Sequence, residues 1–122
     1  MKKIVGLFFS LYCFAGYSAC DVYIPEKTFY HDSGYSINFE FDSILSSKRY
    51  FEVGTKDATY VLTFHGEEIR GRFRKARAIL SMGETHIQKE VTCFYMTCGI
   101  TDYQKAFSKA FSEFSKNLKE CR

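Results

Sequence analysis

The chain has no tryptophan and a single proline, no internal repeat, no low-complexity tract and no stretch with the composition of an interdomain linker. These absences argue against tandem modules and against a disordered chain, which is poor in aromatics, whereas this one carries 13 Phe and 9 Tyr. A typical domain occupies roughly 100 to 200 residues, so 122 residues suit one domain. Large charge of one sign is also missing. The formal charge is +3, and removal of Lys2 and Lys3 with a leader leaves fifteen basic against fourteen acidic residues. That balance excludes neither local patches nor weak anion binding, but it does not describe a nucleic-acid binder. Only one apolar run is long, and after it nothing else is of spanning length.

That run is at the start. Lys2 and Lys3 precede Ile4 to Ala15, an apolar segment of secretory length followed by small residues. We read residues 1–19 as a cleavable signal peptide and 20–122 as one exported domain. Two cleavage readings stand at Gly16-Tyr17-Ser18-Ala19-Cys20. In one, Cys20 is the lipidated first residue of a lipoprotein, although Tyr17 occupies a place that favours Leu. In the other, signal peptidase cuts after Ser18, with Gly16 and Ser18 in its small-residue pockets.

The exported part then holds Cys20, Cys93, Cys98 and Cys121, an even set suited to an oxidising compartment. Cys98 and Cys121 bracket an expected helix of about 18 residues, ~27 Å long, whereas a bridge needs Cα atoms within ~7 Å. Two pairings are left: Cys93–Cys98 with Cys20–Cys121, or Cys93–Cys121 with Cys20–Cys98. A metal site is disfavoured because Cys93 and Cys98 with His86 lack the close cysteine pairs of structural zinc. No metal or cofactor is expected.

The clearest element is the last. Tyr103, Phe107, Ala110, Phe111, Phe114 and Leu118 recur at helical spacing, and Thr101-Asp102-Tyr103-Gln104 has the pattern of a capping box. Before it, Thr59 to His65, Arg72 to Met82 and Thr85 to Met96 alternate as strands of an antiparallel meander, with Gly66-Glu67-Glu68 expected as a turn or bulge. Ala76, Ala78, Leu80 and Met82 share one face, and the two alanines leave room for a helix close across the sheet. Arg49 to Val53 is a shorter strand. Tyr35 to Leu45 fits both periods and is read as a helix capped by Asp32 or Ser33, and Val22 to Tyr30 as an edge strand that tolerates Pro25. The fold class is therefore α+β: an antiparallel sheet of about four strands, a long C-terminal helix and one shorter helix on one face.

The order of helix, Arg49-Tyr50-Phe51-Glu52-Val53, Ala58-Thr59-Tyr60-Val61-Leu62, Gly71, Ala76 to Leu80 and terminal helix resembles the small α/β module of bacterial envelope proteins, seen in the TolB N-terminal domain and the curli-secretion lipoprotein family. The likeness spans Ile37 to Leu118 and departs from the family phrase at Thr59, where an acidic residue is usual. It implies helices layered on one sheet and a role in envelope assembly or docking. It supplies no catalytic residues, and the cysteines lie outside its pattern.

Five cations, Arg70, Arg72, Arg74, Lys75 and Arg77, fall within eight residues around Gly71. As a strand they would divide between two faces, while a turn would merge them into an anion site for lipid phosphates or an acidic protein. The plainer reading is an edge strand kept soluble by charge, with Glu67 and Glu68 neutralising part of it. His31, His65 and His86 are scattered and belong to no catalytic motif, so an enzyme is not expected. The expected function is that of a noncatalytic envelope protein, periplasmic or lipid-anchored, with an envelope protein or an anionic envelope component as its partner. Membrane contact would then come only through a lipid on Cys20. A freely secreted, disulfide-stabilised effector or inhibitor is the alternative.

Overall fold

A computed structural model describes residues 20–94 and 96–122; the expected signal peptide lies outside them. In chain order the elements are β1 (Asp21–Tyr23), β2 (Thr28–Tyr30), β3 (Ser36–Asn38), α1 (Asp42–Ser47), β4 (Phe51–Val53), β5 (Tyr60–Ile69), β6 (Lys75–Met82), β7 (Thr85–Thr92) and α2 (Ile100–Asn117). The class is α+β, but the sheet is not the expected antiparallel set of about four strands. It has five strands in the order β4-β1-β5-β6-β7, and β2 and β3 form a separate hairpin. The β5-β6-β7 meander is antiparallel, whereas β1 runs parallel to both β4 and β5. A three-residue strand shows too little alternation to be read, and its parallel partners are reached only through the intervening hairpin and α1.

Several boundaries shift for identifiable reasons. The expected edge strand over Val22 to Tyr30 breaks around Pro25, and its first half enters the sheet interior, where Val22 is fully buried. Proline has no N–H to donate and therefore falls in the break. The expected helix over Tyr35 to Leu45 divides into β3 and α1. Its anticipated caps lie in the β2–β3 turn instead, where Ser33 N–H donates to His31 Nδ1 at 3.1 Å. The turn itself uses Gly34 at φ 95°. Just after α1, Arg49 adopts φ 66°, a left-handed conformation that glycine takes more readily.

Gly66 is not a turn. It sits mid-strand because an added Cβ would lie 2.6 Å from Phe29 Cε1 and 3.2 Å from Phe107 Cε2. The missing side chain lets the hairpin's Phe29 ring reach the sheet, and β5 continues to Ile69.

Strand β6 alternates without a fault, with Ala76, Ala78, Leu80 and Met82 buried and Lys75, Arg77, Ile79 and Ser81 on the other face. The two alanines are fully buried, and α2 packs across β6 and β7 as their small size allows. From α2, Tyr103, Ala106, Phe107, Ala110 and Phe114 enter the core, while Phe111 is partly buried. Phe107 sits among Phe29, Phe39 and Phe64, with ring centroids at 5.3, 4.8 and 5.9 Å. Leu45 of α1 joins the same core.

The helix is capped two residues earlier than expected. Gly99 is the N-cap, and its N–H donates to the Asp102 carboxylate at 2.8 Å, so the acidic residue rather than Gln104 performs the reach-back.

Candidate interaction surface

The sheet has two ends with different chemistry. At one end lie the β5–β6 connection (Arg70 to Arg74) and the β7–α2 connection (Cys93 to Gly99). At the other lie the Gly83-Glu84 turn and the chain from Leu118 to Arg122.

Among the described residues, two disulfides form, each at one end. Cys93 pairs with Cys98 at a Cα separation of 5.2 Å, and Cys20 with Cys121 at 5.8 Å. This is one of the two pairings left open by spacing. Past the end of α2 the chain turns back along the β4–β1 edge. There Cys121 N–H donates to Lys48 carbonyl at 2.8 Å, Tyr50 Oη–H to Lys119 carbonyl at 3.0 Å, and Phe51 N–H to Cys20 carbonyl at 3.1 Å. The Cys20 sulfur is thus held by Cys121, and one sulfur cannot form both a disulfide and a lipid thioether.

The five clustered cations do not form one site. Lys75 and Arg77 lie in β6, which is flanked by β5 and β7 and is not an edge strand. Arg77 Nη2 is 2.9 Å from Glu90 and its Nη1 3.3 Å from Glu67, while Lys75 Nζ is 3.9 Å from Glu90. Arg74 turns back onto Glu68. Glu68 also accepts the Cys98 N–H at 2.8 Å, and that bond, followed by Arg74, holds its carboxyl below the ordinary glutamate value despite partial burial. Only Arg70 and Arg72 enter no ion pair among the described residues, and the Arg72 guanidinium lies 5.9 Å from the Phe73 ring centroid.

The residues that composition and spacing did not single out stand beside those two arginines. Phe73 is 64% exposed, Phe94 94% and Met96 84%. Cys93 N–H donates to Arg74 carbonyl at 2.8 Å, so Phe73 and Phe94 are the next residues beyond a cross-strand bond. The disulfide closes the loop that carries Phe94 and Met96. From the other side, His31 Nε2 is 2.9 Å from Cys98 carbonyl, joining the β2–β3 hairpin, with its exposed Tyr30 and Tyr35, to the same end. Beneath this contact Tyr103 is buried against Phe29 and His31, and its hydroxyl pKa is raised, first by desolvation and then by nearby carboxylates such as Glu68 and Asp32. A usable sequence signal did exist: Phe94 lies between two cysteines and points opposite to Cys93 in the strand alternation.

At the closed end an open groove of about 780 Å³ is bordered by Tyr50, Tyr60, Gly83, Glu84, His86 and Glu120. His86 Nδ1 is 2.8 Å from Ser81 Oγ, a contact that could pass a proton, but no hydrogen bond among the described residues orients the ring's other nitrogen. His65 pairs with Glu67 at 3.1 Å on the open sheet face. One grouping places Cys93, Cys98 and Asp102 ligand atoms within 4.8 Å, yet both sulfurs belong to the disulfide and offer no thiolate. No helix among the described residues is long and apolar enough to cross a membrane. Searches for related proteins found no matching family model, curated protein or solved structure. The fold and its surface define an α+β domain bridged at both ends of its sheet, with an apolar and cationic tip at one of them.

Proposed function

We propose that this chain is an exported, noncatalytic interaction module of the bacterial envelope, working in the periplasm with Cys20 in a disulfide rather than under a lipid. The observation that carries the reading is the tip: Phe73, Phe94 and Met96 stand in water beside Arg70 and Arg72 on a loop closed by Cys93–Cys98. Exposed apolar clusters of this kind mark contact sites, and a short covalent loop lowers the entropy lost when a partner is engaged. The resemblance to envelope assembly modules supports the same reading. The bond between Cys20 and Cys121 favours an unanchored form and keeps the freely secreted effector or inhibitor as the second reading.

Intact mass of the protein from its native host tests export and anchoring. The expected result is a chain beginning at Ala19 or Cys20 that gains two hydrogens per disulfide on reduction; a diacyl or triacyl increment on Cys20, or retention of residues 1–19, overturns this. Photo-crosslinking through Phe94→p-benzoylphenylalanine in the same host tests interaction. An adduct at the tip is expected, and a chain that crosslinks to nothing is not an interaction module of this design.

A further inference from the structure

We infer that the partner of the tip is the surface of an anionic lipid bilayer, into whose interface Phe73, Phe94 and Met96 dip while Arg70 and Arg72 meet lipid phosphates. The inference rests on the interaction-module reading and names its partner. It also moves membrane contact away from Cys20, where a lipid anchor was one of the two readings of the sequence, to the opposite end of the sheet.

Shape is the first argument. Phe73, Phe94 and Met96 are 64%, 94% and 84% exposed, so these side chains project outward into solvent rather than into a recess. A protein partner would have to supply a fitted cavity for each projecting side chain. A bilayer interface accepts a convex apolar tip without one, because lipids rearrange around it.

Charge is the second. Arg74, Lys75 and Arg77 are committed to Glu68, Glu90 and Glu67, which leaves Arg70 and Arg72 beside the apolar residues. Two acids at this end enter no ion pair among the described residues: Asp32, which borders the same small recess as Arg70, and Asp102, whose carboxylate accepts the Gly99 N–H at the start of α2. Arg72 is the cation set directly with the apolar residues, its guanidinium lying 5.9 Å from the Phe73 ring centroid. Arginine also binds phosphate through a planar fork and is weakly hydrated, which suits it to a headgroup layer.

The third argument is the covalent loop. Loops without a ligand usually turn apolar side chains inward, but Cys93 and Cys98 are both buried and hold the intervening chain short. Glu68 fixes the Cys98 N–H and His31 meets its carbonyl, so the loop base is anchored on both sides. Phe94 and Met96 are thereby kept out of the core and presented at little further entropic cost.

The test is sedimentation of the purified disulfide-intact protein with vesicles of phosphatidylcholine mixed with phosphatidylglycerol, and with vesicles of phosphatidylcholine alone. Binding to the anionic vesicles that falls with added salt is expected, with little binding to the neutral ones. Phe94→Ser with Met96→Ser should weaken it about tenfold or more, and Arg72→Gln about fivefold, the worth of one cation near an anionic surface. Lys116→Gln removes the same charge from the far end of α2 and should leave binding within about twofold of the parent. Far-ultraviolet circular dichroism and thiol titration establish that each variant is folded and oxidised. No binding by the parent, equal loss in Lys116→Gln and Arg72→Gln, or no effect of the double serine variant each overturns the inference. Vesicles left unbound while position 94 crosslinks to a protein would sink the membrane assignment alone; the absence of any crosslink at position 94, to lipid or to protein, would sink the interaction reading with it.

Discussion

The two ends of the sheet each carry one disulfide, and the contrast between them separates two uses of the same bond. Cys20–Cys121 joins residues 101 apart and lies among buried Tyr50, Leu118 and Cys121, so it closes the domain. Cys93–Cys98 joins residues 5 apart and lies beneath Phe94 and Met96, which remain in solvent. In the chain-entropy account a bridge stabilises according to the length of unfolded chain it closes, so the first bond bears on stability and the second on the shape of one surface.

The largest effect expected from breaking this contrast is at the closed end. Cys20→Ser with Cys121→Ser should cost about 4.7 kcal/mol, the value for a loop of about 100 residues, and urea denaturation should show a correspondingly lower midpoint. Cys93→Ser with Cys98→Ser should cost only about 2 kcal/mol because its loop is short. In that variant proteolysis should first cut between residues 93 and 99 while the meander stays protected. If the two double variants lose equal stability, the division of labour proposed for the bonds is wrong.

Glu68 sharpens the comparison from within the tip. Its folded pKa lies below the ordinary value of 4.5, so the stability it contributes is present above that value and is lost as pH falls through it towards the folded one. Glu68→Gln should cost about 1 to 2 kcal/mol at neutral pH, since a charge-assisted bond to Cys98 and an ion pair with Arg74 both weaken. The variant should also show a flatter acid limb when unfolding is followed from neutral pH downward. At the closed end, Arg49→Gly should instead stabilise by about 1 kcal/mol, because glycine accepts φ 66° without the Cβ conflict. Its pair with Glu120 is exposed on both sides and contributes little; a lower melting temperature for this variant would contradict the argument. Phe94→Ser should change stability least, by less than about 0.5 kcal/mol, as its ring is almost wholly in solvent. A loss several times larger would mean that this ring belongs to the core rather than to a contact surface.

How much of this was legible beforehand depended on whether the signal was local. Helix α2 and strand β6 were readable because each carries a complete period: a stripe at helical spacing in one, strict alternation in the other. Gly66 was read as a turn or bulge since its reason lies in Phe29, thirty-seven positions earlier, whose ring needs the space. Whether the five clustered cations merge or divide stayed open because their partners Glu67, Glu68 and Glu90 face them only after β5, β6 and β7 pair. Val22 was placed on an edge because no residue near it announces parallel neighbours. The division of Tyr35 to Leu45 likewise depended on which neighbours its aromatic residues found, Phe39 and Phe41 both being buried.

By itself, the amino-acid order determined the α+β class, the C-terminal helix and its buried stripe, the close approach allowed by Ala76 and Ala78, and a short menu of cysteine pairings. These follow from periodicity, side-chain size and chain reach, which act over a few residues or set simple limits of distance. Tertiary structure alone decided which cysteines meet, which cations keep their charge free, and that Phe73, Phe94 and Met96 stand exposed together. Each of those outcomes needs groups remote in sequence to be brought within bonding or contact distance, and only the paired strands and the packed helix do that.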